Sequence, residues 1–201
     1  MRKLGIKALL AGLLFSVALS TQAQEQTTPL DQVMEGLSVR NIGPAGMSGR
    51  VTCITAHPKI PTTIYAGSAS GGLWVSENNG QSWSPLFQNE KVASIGAIAI
   101  DPMHPDIIYV GTGEGNPRNS QTSGYGLYKS YDGGESWECL GLEETRTIHR
   151  ILINPSNTDE VYVGATGSAW GDSPRGVYKT TDGGKNWTQS LYIDGKSGAG
   201  D

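Results

Sequence analysis

At 201 residues the chain has room for one or two domains, and 28 glycines and 10 prolines against 17% charged residues point to a turn-dense β protein, not a helical bundle. A formal net charge of −4 leaves no electrostatic footprint for a phosphate backbone and argues against nucleic acid as a partner. The two cysteines, Cys53 and Cys139, are too few for a disulfide framework and too far apart for the paired spacing of a structural zinc site.

The first 23 residues read as a secretory signal peptide. Arg2, Lys3 and Lys7 precede an apolar run from Ala8 to Leu19, and Thr21-Gln22-Ala23 offers small residues for cleavage. That run is about 12 residues long against the roughly 20 needed to cross a bilayer, so no membrane span is expected after cleavage. Export to a periplasm, cell surface or exterior follows. Residues 24–50 form a lead-in, within which Leu37-Ser38-Val39-Arg40-Asn41-Ile42 has strand character and the place of a ring-closing strand.

Three units then repeat with a period of about 50 residues, the length of a propeller blade and longer than a solenoid β repeat. They are expected at 51–94, 95–147 and 148–201, the last stretch including the start of a further unit. Each opens on an apolar strand running to a proline: Val51 to Pro58, Ile95 to Pro102 and Ile148 to Pro155. The near-continuous apolar character predicts an innermost strand buried on both faces. A second strand follows at Ile64-Tyr65-Ala66-Gly67, Ile108-Tyr109-Val110-Gly111 and Val161-Tyr162-Val163-Gly164. The third is read at Gly72–Val75, Gly126–Lys129 and Gly176–Lys179, and the fourth from Trp83, Trp137 or Trp187. Four short strands, each β-branched or aromatic and bounded by turn residues, make one antiparallel sheet. The fold class is therefore all-β, a β-propeller of four-stranded blades with about three present. Since propellers have four blades or more, the ring is incomplete and further C-terminal blades of the same chain are expected. On this layout Cys53 and Cys139 fall on different blades as free, mostly buried thiols.

Between the third and fourth strands lies the sharpest motif. It reads Ser76-x-Asn78-x-Gly80-x-x-Trp83, then Ser130-x-Asp132-x-Gly134-x-x-Trp137, then Thr180-x-Asp182-x-Gly184-x-x-Trp187. Its physics is that of a hairpin: the Asp or Asn accepts turn N–H groups, the Gly takes φ > 0, and the Trp covers the turn. The spacing lacks the ligand series of a calcium loop, and His57, His104 and His149 are scattered across blades, so neither metal nor cofactor is expected. Gly111-Thr112-Gly113-Glu114-Gly115 is glycine-rich but joins strand to strand, unlike a dinucleotide loop.

These boxes and the strand pattern resemble the Asp-box, or bacterial neuraminidase repeat, proteins, and within them the sortilin-type and xyloglucanase-type branch, over roughly Val51 to Leu191. The resemblance implies a propeller and no single activity, because sialidases, xyloglucanases and sorting receptors share it. In xyloglucanases it implies a catalytic Asp after the second strand of the first blade in a Thr-Asp-x-Gly-Gly context. The matching stretch here is Ser68-Ala69-Ser70-Gly71-Gly72, with Ala69 in the Asp position.

Ligand chemistry is expected on the face shared by the loops entering first strands and those joining strands two and three. Candidates are Arg50, Glu114, Arg118, Arg146, Trp170, Asp172 and Arg175, with Asn116, Asn119 and Gln121 beside them and His149 and Arg150 nearer the channel. Guanidinium groups suit bidentate contacts to carboxylates, and an exposed Trp suits stacking on a sugar or side chain. A glycosidase needs two carboxyl groups roughly 5 to 9.5 Å apart, and the sequence supplies no clear pair. The sequence thus favours an exported, non-catalytic binder of extracellular protein, peptide or polysaccharide; the alternative is a glycosyl hydrolase whose acids lie in further blades.

Overall fold

The computed structural model describes residues 50–116, 120–168 and 171–199. The signal-peptide reading, the ring-closing strand, Arg118, Asn119 and Trp170 lie outside the described residues. Twelve strands run in chain order: β1 (Val51–Ala56), β2 (Ile64–Ser68), β3 (Leu73–Ser76), β4 (Ser84–Pro85), β5 (Ile95–Ile100), β6 (Ile108–Thr112), β7 (Leu127–Ser130), β8 (Glu138–Cys139), β9 (Ile148–Ile153), β10 (Val161–Ala165), β11 (Gly176–Thr180) and β12 (Thr188–Leu191). They form three antiparallel sheets, β1-β2-β3-β4, β5-β6-β7-β8 and β9-β10-β11-β12, each in chain order from inner to outer strand. These are blades of a β-propeller, and three of them make part of a ring.

The first strands stop two residues short of their prolines. The reason is a side chain that turns the backbone: Asp101 Oδ1 accepts the N–H groups of Met103 and His104 at 2.8 and 3.0 Å. Asn154 Oδ1 accepts Ser156 N–H at 2.9 Å, and His57 Nδ1 accepts those of Lys59 and Ile60 at 3.1 and 3.0 Å. Local side-chain acceptors of this kind compete with the ladder and end it. The fourth strands likewise begin one residue after each Trp.

Two cores hold the blades face to face. Tyr65, Leu73 and Phe87 of the first blade pack on Ile95, Ile108, Val110 and Tyr128 of the second. Ala97, Tyr109 and Leu127 of the second pack on Ile148, Ile151, Val161 and Val163 of the third. Each fully buried Leu or Ile here contributes about 1.5–3 kcal/mol. Close approach depends on the glycine one residue before the end of each second strand. A Cβ on Gly67 would stand 2.6 Å from Ile95 Cγ2, and one on Gly111 2.4 Å from Ile148 Cγ2, so the next blade's leading isoleucine fills the place a side chain would take.

Burial on both faces holds for a first strand flanked by two blades. Ile95 and Ala97 of β5 are buried, whereas Val51 and Ile54 of β1, with no blade on one side among the described residues, are 64% and 67% exposed. Cys53 and Cys139 are free; Cys53 is half-buried, but Cys139, expected to be mostly buried, is exposed because the two-residue β8 lies at the outer edge.

The β3–β4, β7–β8 and β11–β12 hairpins share one hydrogen-bond scheme. The hydroxyl of the first motif residue accepts the N–H of the motif glycine and donates to the carboxylate or amide oxygen: Gly134 N–H to Ser130 Oγ at 2.8 Å, Ser130 Oγ to Asp132 Oδ1 at 2.7 Å. Asp132 also accepts from the N–H and hydroxyl of Ser136, and these bonds hold its carboxyl well below the usual range. Thr180, Asp182, Gly184 and Asn186 repeat the scheme, as do Ser76, Asn78, Gly80 and Ser82. The tryptophans do more than cover the turn. Trp137 Nε1 donates to Leu86 O of the preceding blade at 3.2 Å, and Trp187 Nε1 to Leu140 O at 3.1 Å. Trp83 donates within its own hairpin, to Gly80 O, and is 39% exposed.

Candidate functional site

The loops joining second and third strands (β2–β3, β6–β7 and β10–β11) and the segments entering β1, β5 and β9 lie at the end of each sheet opposite the Trp hairpins. The lead-in to β1 is tied down by Ala69 N–H donating to Arg50 O at 2.9 Å, which fixes Arg50 at this end. Its guanidinium reaches across the blade boundary to Glu114 in the β6–β7 loop. Nε donates to Oε1 at 2.8 Å and Nη2 to Oε2 at 2.5 Å, a bidentate pair between residues 64 apart in sequence.

Burial divides the pair unequally. The Glu114 side chain is wholly buried, and that of Arg50 is 36% exposed. Expected as a ligand-facing carboxylate, Glu114 is instead an internal anchor. Both of its oxygens are engaged, and its own N–H is bonded to Thr122 O across the loop. Arg50 keeps its outer edge toward solvent, aligned by a carboxylate that cannot itself reach a ligand.

The other described residues of the β6–β7 loop are tied down through their backbone groups. Gly124 N–H donates to Arg146 O, Ser94 Oγ to Thr122 O, and Gln121 Nε2 to Asn116 O. Gly115 lies flat on His149 of the third blade; a Cβ there would sit 2.1 Å from Nδ1. The Arg50–Glu114 pair of the first two blades is thus followed directly, at Gly115, by contact with His149 of the third. Arg146 joins them through its carbonyl. It follows a single 3-10 turn at Glu143–Thr145 and holds φ 61°, a left-handed conformation uncommon for a non-glycine residue, with its side chain exposed.

Arg175 and Asp172 stand apart from that group, in the β10–β11 loop. Arg175 is occupied as a loop clamp, donating to the carbonyls of Ser168 at 2.7 Å, Gly171 at 3.4 Å and Lys196 at 3.3 Å. Asp172 is exposed. Sequence reasoning passed over Tyr125, which is 39% exposed at the mouth of the β6–β7 loop with Lys91 Nζ 5.0 Å from its ring centre. Its signal was a lone aromatic between Gly124 and Gly126 in a loop that otherwise reads as polar. Among the described residues no group of three or more His, Cys, Asp or Glu side chains is placed to hold a metal ion.

The rim thus offers two solvent-facing guanidinium groups, an aromatic face and hydrogen-bonding loop carbonyls. That chemistry suits a neutral, hydroxyl-rich or carboxylate-bearing ligand lying across blades. Among the described residues Glu144, Asp172 and Asp194 are the exposed carboxylates toward this end, and Asp194 is already held by the N–H groups of Lys196 and Ser197.

No protein-family model matches the chain. It is similar to a xyloglucanase of Hypocrea jecorina, 26% identical over 168 residues, covering 76% of this chain and 19% of that protein. It is also similar to a probable oligoxyloglucan-reducing end-specific xyloglucanase of Neosartorya fischeri, 29% identical over 135 residues, with 61% of this chain and 15% of that protein covered. Among solved structures, an ancestral GH74 enzyme superposes with a TM-score of 0.61 at 24% identity over 78% of this chain and 20% of its own. The chain thus spans about a fifth of the length of these proteins. Its homologues are xyloglucanases, and its fold is a set of consecutive blades of the kind found in GH74 enzymes.

Proposed function

We propose that the whole protein is an exported β-propeller glycoside hydrolase acting on a xyloglucan-type β-glucan, and that these blades supply part of the rim along which the polysaccharide lies. The observation that carries this reading is the similarity to xyloglucanases over 76% of the chain, through the very repeats that place the rim. Arg50 and Arg146 would donate to sugar hydroxyls, and Tyr125 would stack on a pyranose face. The acid and its partner carboxylate come from blades beyond the described residues, since Glu114 is sequestered by Arg50 and Ala69 stands where the resemblance places an Asp. Export rests on the basic residues followed by the Ala8–Leu19 apolar run. Membership of the Asp-box, sortilin-like branch is part of the same proposal and is supported by the three hairpins' shared bonding.

One observation favours a second reading, a propeller that binds glycan without cleaving it. Ala69 is buried to 1% exposure with its N–H bonded to Arg50 O, so the site of the missing Asp is closed by backbone packing. The test incubates the full-length protein with xyloglucan, scoring new reducing ends and retardation in a xyloglucan-containing gel. New reducing ends support the hydrolase, retardation without them supports the binder, and neither outcome refutes both.

A further inference from the structure

At the hairpin end, away from the rim, the two blade interfaces differ in what fills them. In β7 the cross-strand partner of Tyr109 is Lys129, and in β11 the partner of Tyr162 is Lys179. Both lysines lay their ammonium over that tyrosine, 4.8 and 5.0 Å from the ring centres. Lys129 is buried between the second and third blades. There its Nζ donates to Gly183 O of the next hairpin at 3.0 Å, beside the Tyr109 hydroxyl at 3.2 Å, and it also lies over Tyr131. Burial pulls its ammonium downward in pKa, and the nearby carboxylates of Asp159, Asp101 and Glu138 oppose that pull.

The first blade breaks the pattern. The partner of Tyr65 in β3 is Val75, and the residue two further on, Tyr131 in the second blade, is here Glu77. The hairpin of the second blade is nonetheless placed as its successor is, with Gly133 N–H on Asp106 O at 2.9 Å as Gly183 N–H is on Asp159 O at 3.0 Å. Where Lys129 fills one interface, the other opens into a cleft of about 610 Å³ lined by Tyr65, Val75, Glu77, Asp132, Gly133 and Glu135 among others. Tyr65 feels that change: burial first, then the charges of Glu77 and Asp106, raise its hydroxyl above the ordinary value. The cleft has kept the aromatic face, the turn carbonyl and the acidic surround of an ammonium site and lacks the lysine.

We propose that this cleft binds a primary ammonium group carried on an unbranched alkyl stem, seated over Tyr65 between Glu77 and the Gly133 carbonyl, where Lys129 sits in the next interface. Such a ligand replaces the missing side chain in kind. Its ammonium gains a cation–π contact and a charge-assisted hydrogen bond, while its stem covers Val75 and Leu86. A guanidinium is flatter and wider than the ammonium its neighbours accommodate and is expected to bind worse.

The experiment follows the thermal midpoint of the full-length protein in 1,5-diaminopentane, in Nα-acetyl-lysine methylamide and in Nα-acetyl-arginine methylamide, each against sodium chloride of equal ionic strength. A saturable rise with the diamine alone assigns the site to small polyamines, and a rise with the lysine amide as well assigns it to peptide lysines. Val75→Lys should raise the midpoint without ligand and abolish the response. Val75→Met fills the cleft without burying a charge and should abolish it too. No rise with either amine, an equal rise with the arginine amide, or a Val75→Met protein that responds like wild type overturns the proposal.

Discussion

Truncating either partner of the Arg50–Glu114 pair should have unequal consequences, because only one of them can return to water. Arg50→Met keeps the aliphatic stem but leaves the Glu114 carboxylate wholly buried and unpaired. Removing one member of a buried pair costs about 3–5 kcal/mol, most of it the uncompensated charge. Glu114→Gln keeps the shape and one acceptor, and Arg50, already 36% exposed, can turn its guanidinium to solvent. That change resembles loss of a partly exposed pair plus one charge-assisted hydrogen bond, about 1–2 kcal/mol. The double variant should be more stable than Arg50→Met alone, since the stranded charge has gone. Urea unfolding of the full-length proteins at constant m reads the order directly. If Arg50→Met is no more destabilised than Glu114→Gln, or the double variant is worse than both, Glu114 is not the sequestered anchor described above.

Other expectations concern the hairpins and the blade contacts. Trp137→Ala removes a ring packed 5.1 Å from Phe87 and a bond to the preceding blade, and should cost about 3–5 kcal/mol by denaturant titration. Trp83→Ala, with a more exposed ring and a bond inside its own hairpin, should cost clearly less. Gly96→Ala would place a Cβ 2.2 and 2.3 Å from the carbonyls of Ile148 and Gly113 and should abolish soluble expression, whereas Gly171→Ala meets nothing and should be silent. The carboxyls of Asp132 and Asp182 are lowered chiefly by side-chain hydrogen bonds, from Ser136 and Thr180 respectively. A lowered native value stabilises the fold above the unfolded-state value near 3.9 and loses that contribution as pH falls through the native one. The thermal midpoint should therefore drop as pH is taken below about 4, and less steeply in the Asp132→Asn/Asp182→Asn protein, which carries the amide that Asn78 has in the first hairpin.

The fold was legible because each blade repeats its cues at the same offsets: an apolar run, a Tyr-x-Gly strand, a turn motif and a Trp. Blade neighbours were not legible. Nothing near Leu86 announces that its carbonyl receives the indole of Trp137, or near Glu114 that Arg50 closes on it, because those partners lie 51 and 64 residues away. Arg50 and Glu114 stood out in the sequence as charges in loops of one face. Their pairing, which turns one of them from ligand contact into anchor, depends on the angle between blades. Arg175 reads as an exposed loop charge and proves to be held by three carbonyls, since a long loop without regular structure must find donors for its backbone somewhere. Tyr125 was masked by the glycines on either side of it.

The indole bonds from Trp137 to Leu86 and from Trp187 to Leu140 run backward along the chain, each completing a blade made about 50 residues earlier. On the proposed export route the chain folds after crossing the membrane, N-terminal blade first, and every new blade keeps an open flank until the next tryptophan follows it across. Maturation then moves as a ratchet from the N-terminal blade onward, each finished hairpin locking its predecessor and exposing a fresh flank of its own. A stall in that crossing just before Trp137 or Trp187 would prolong the exposure more than one just after.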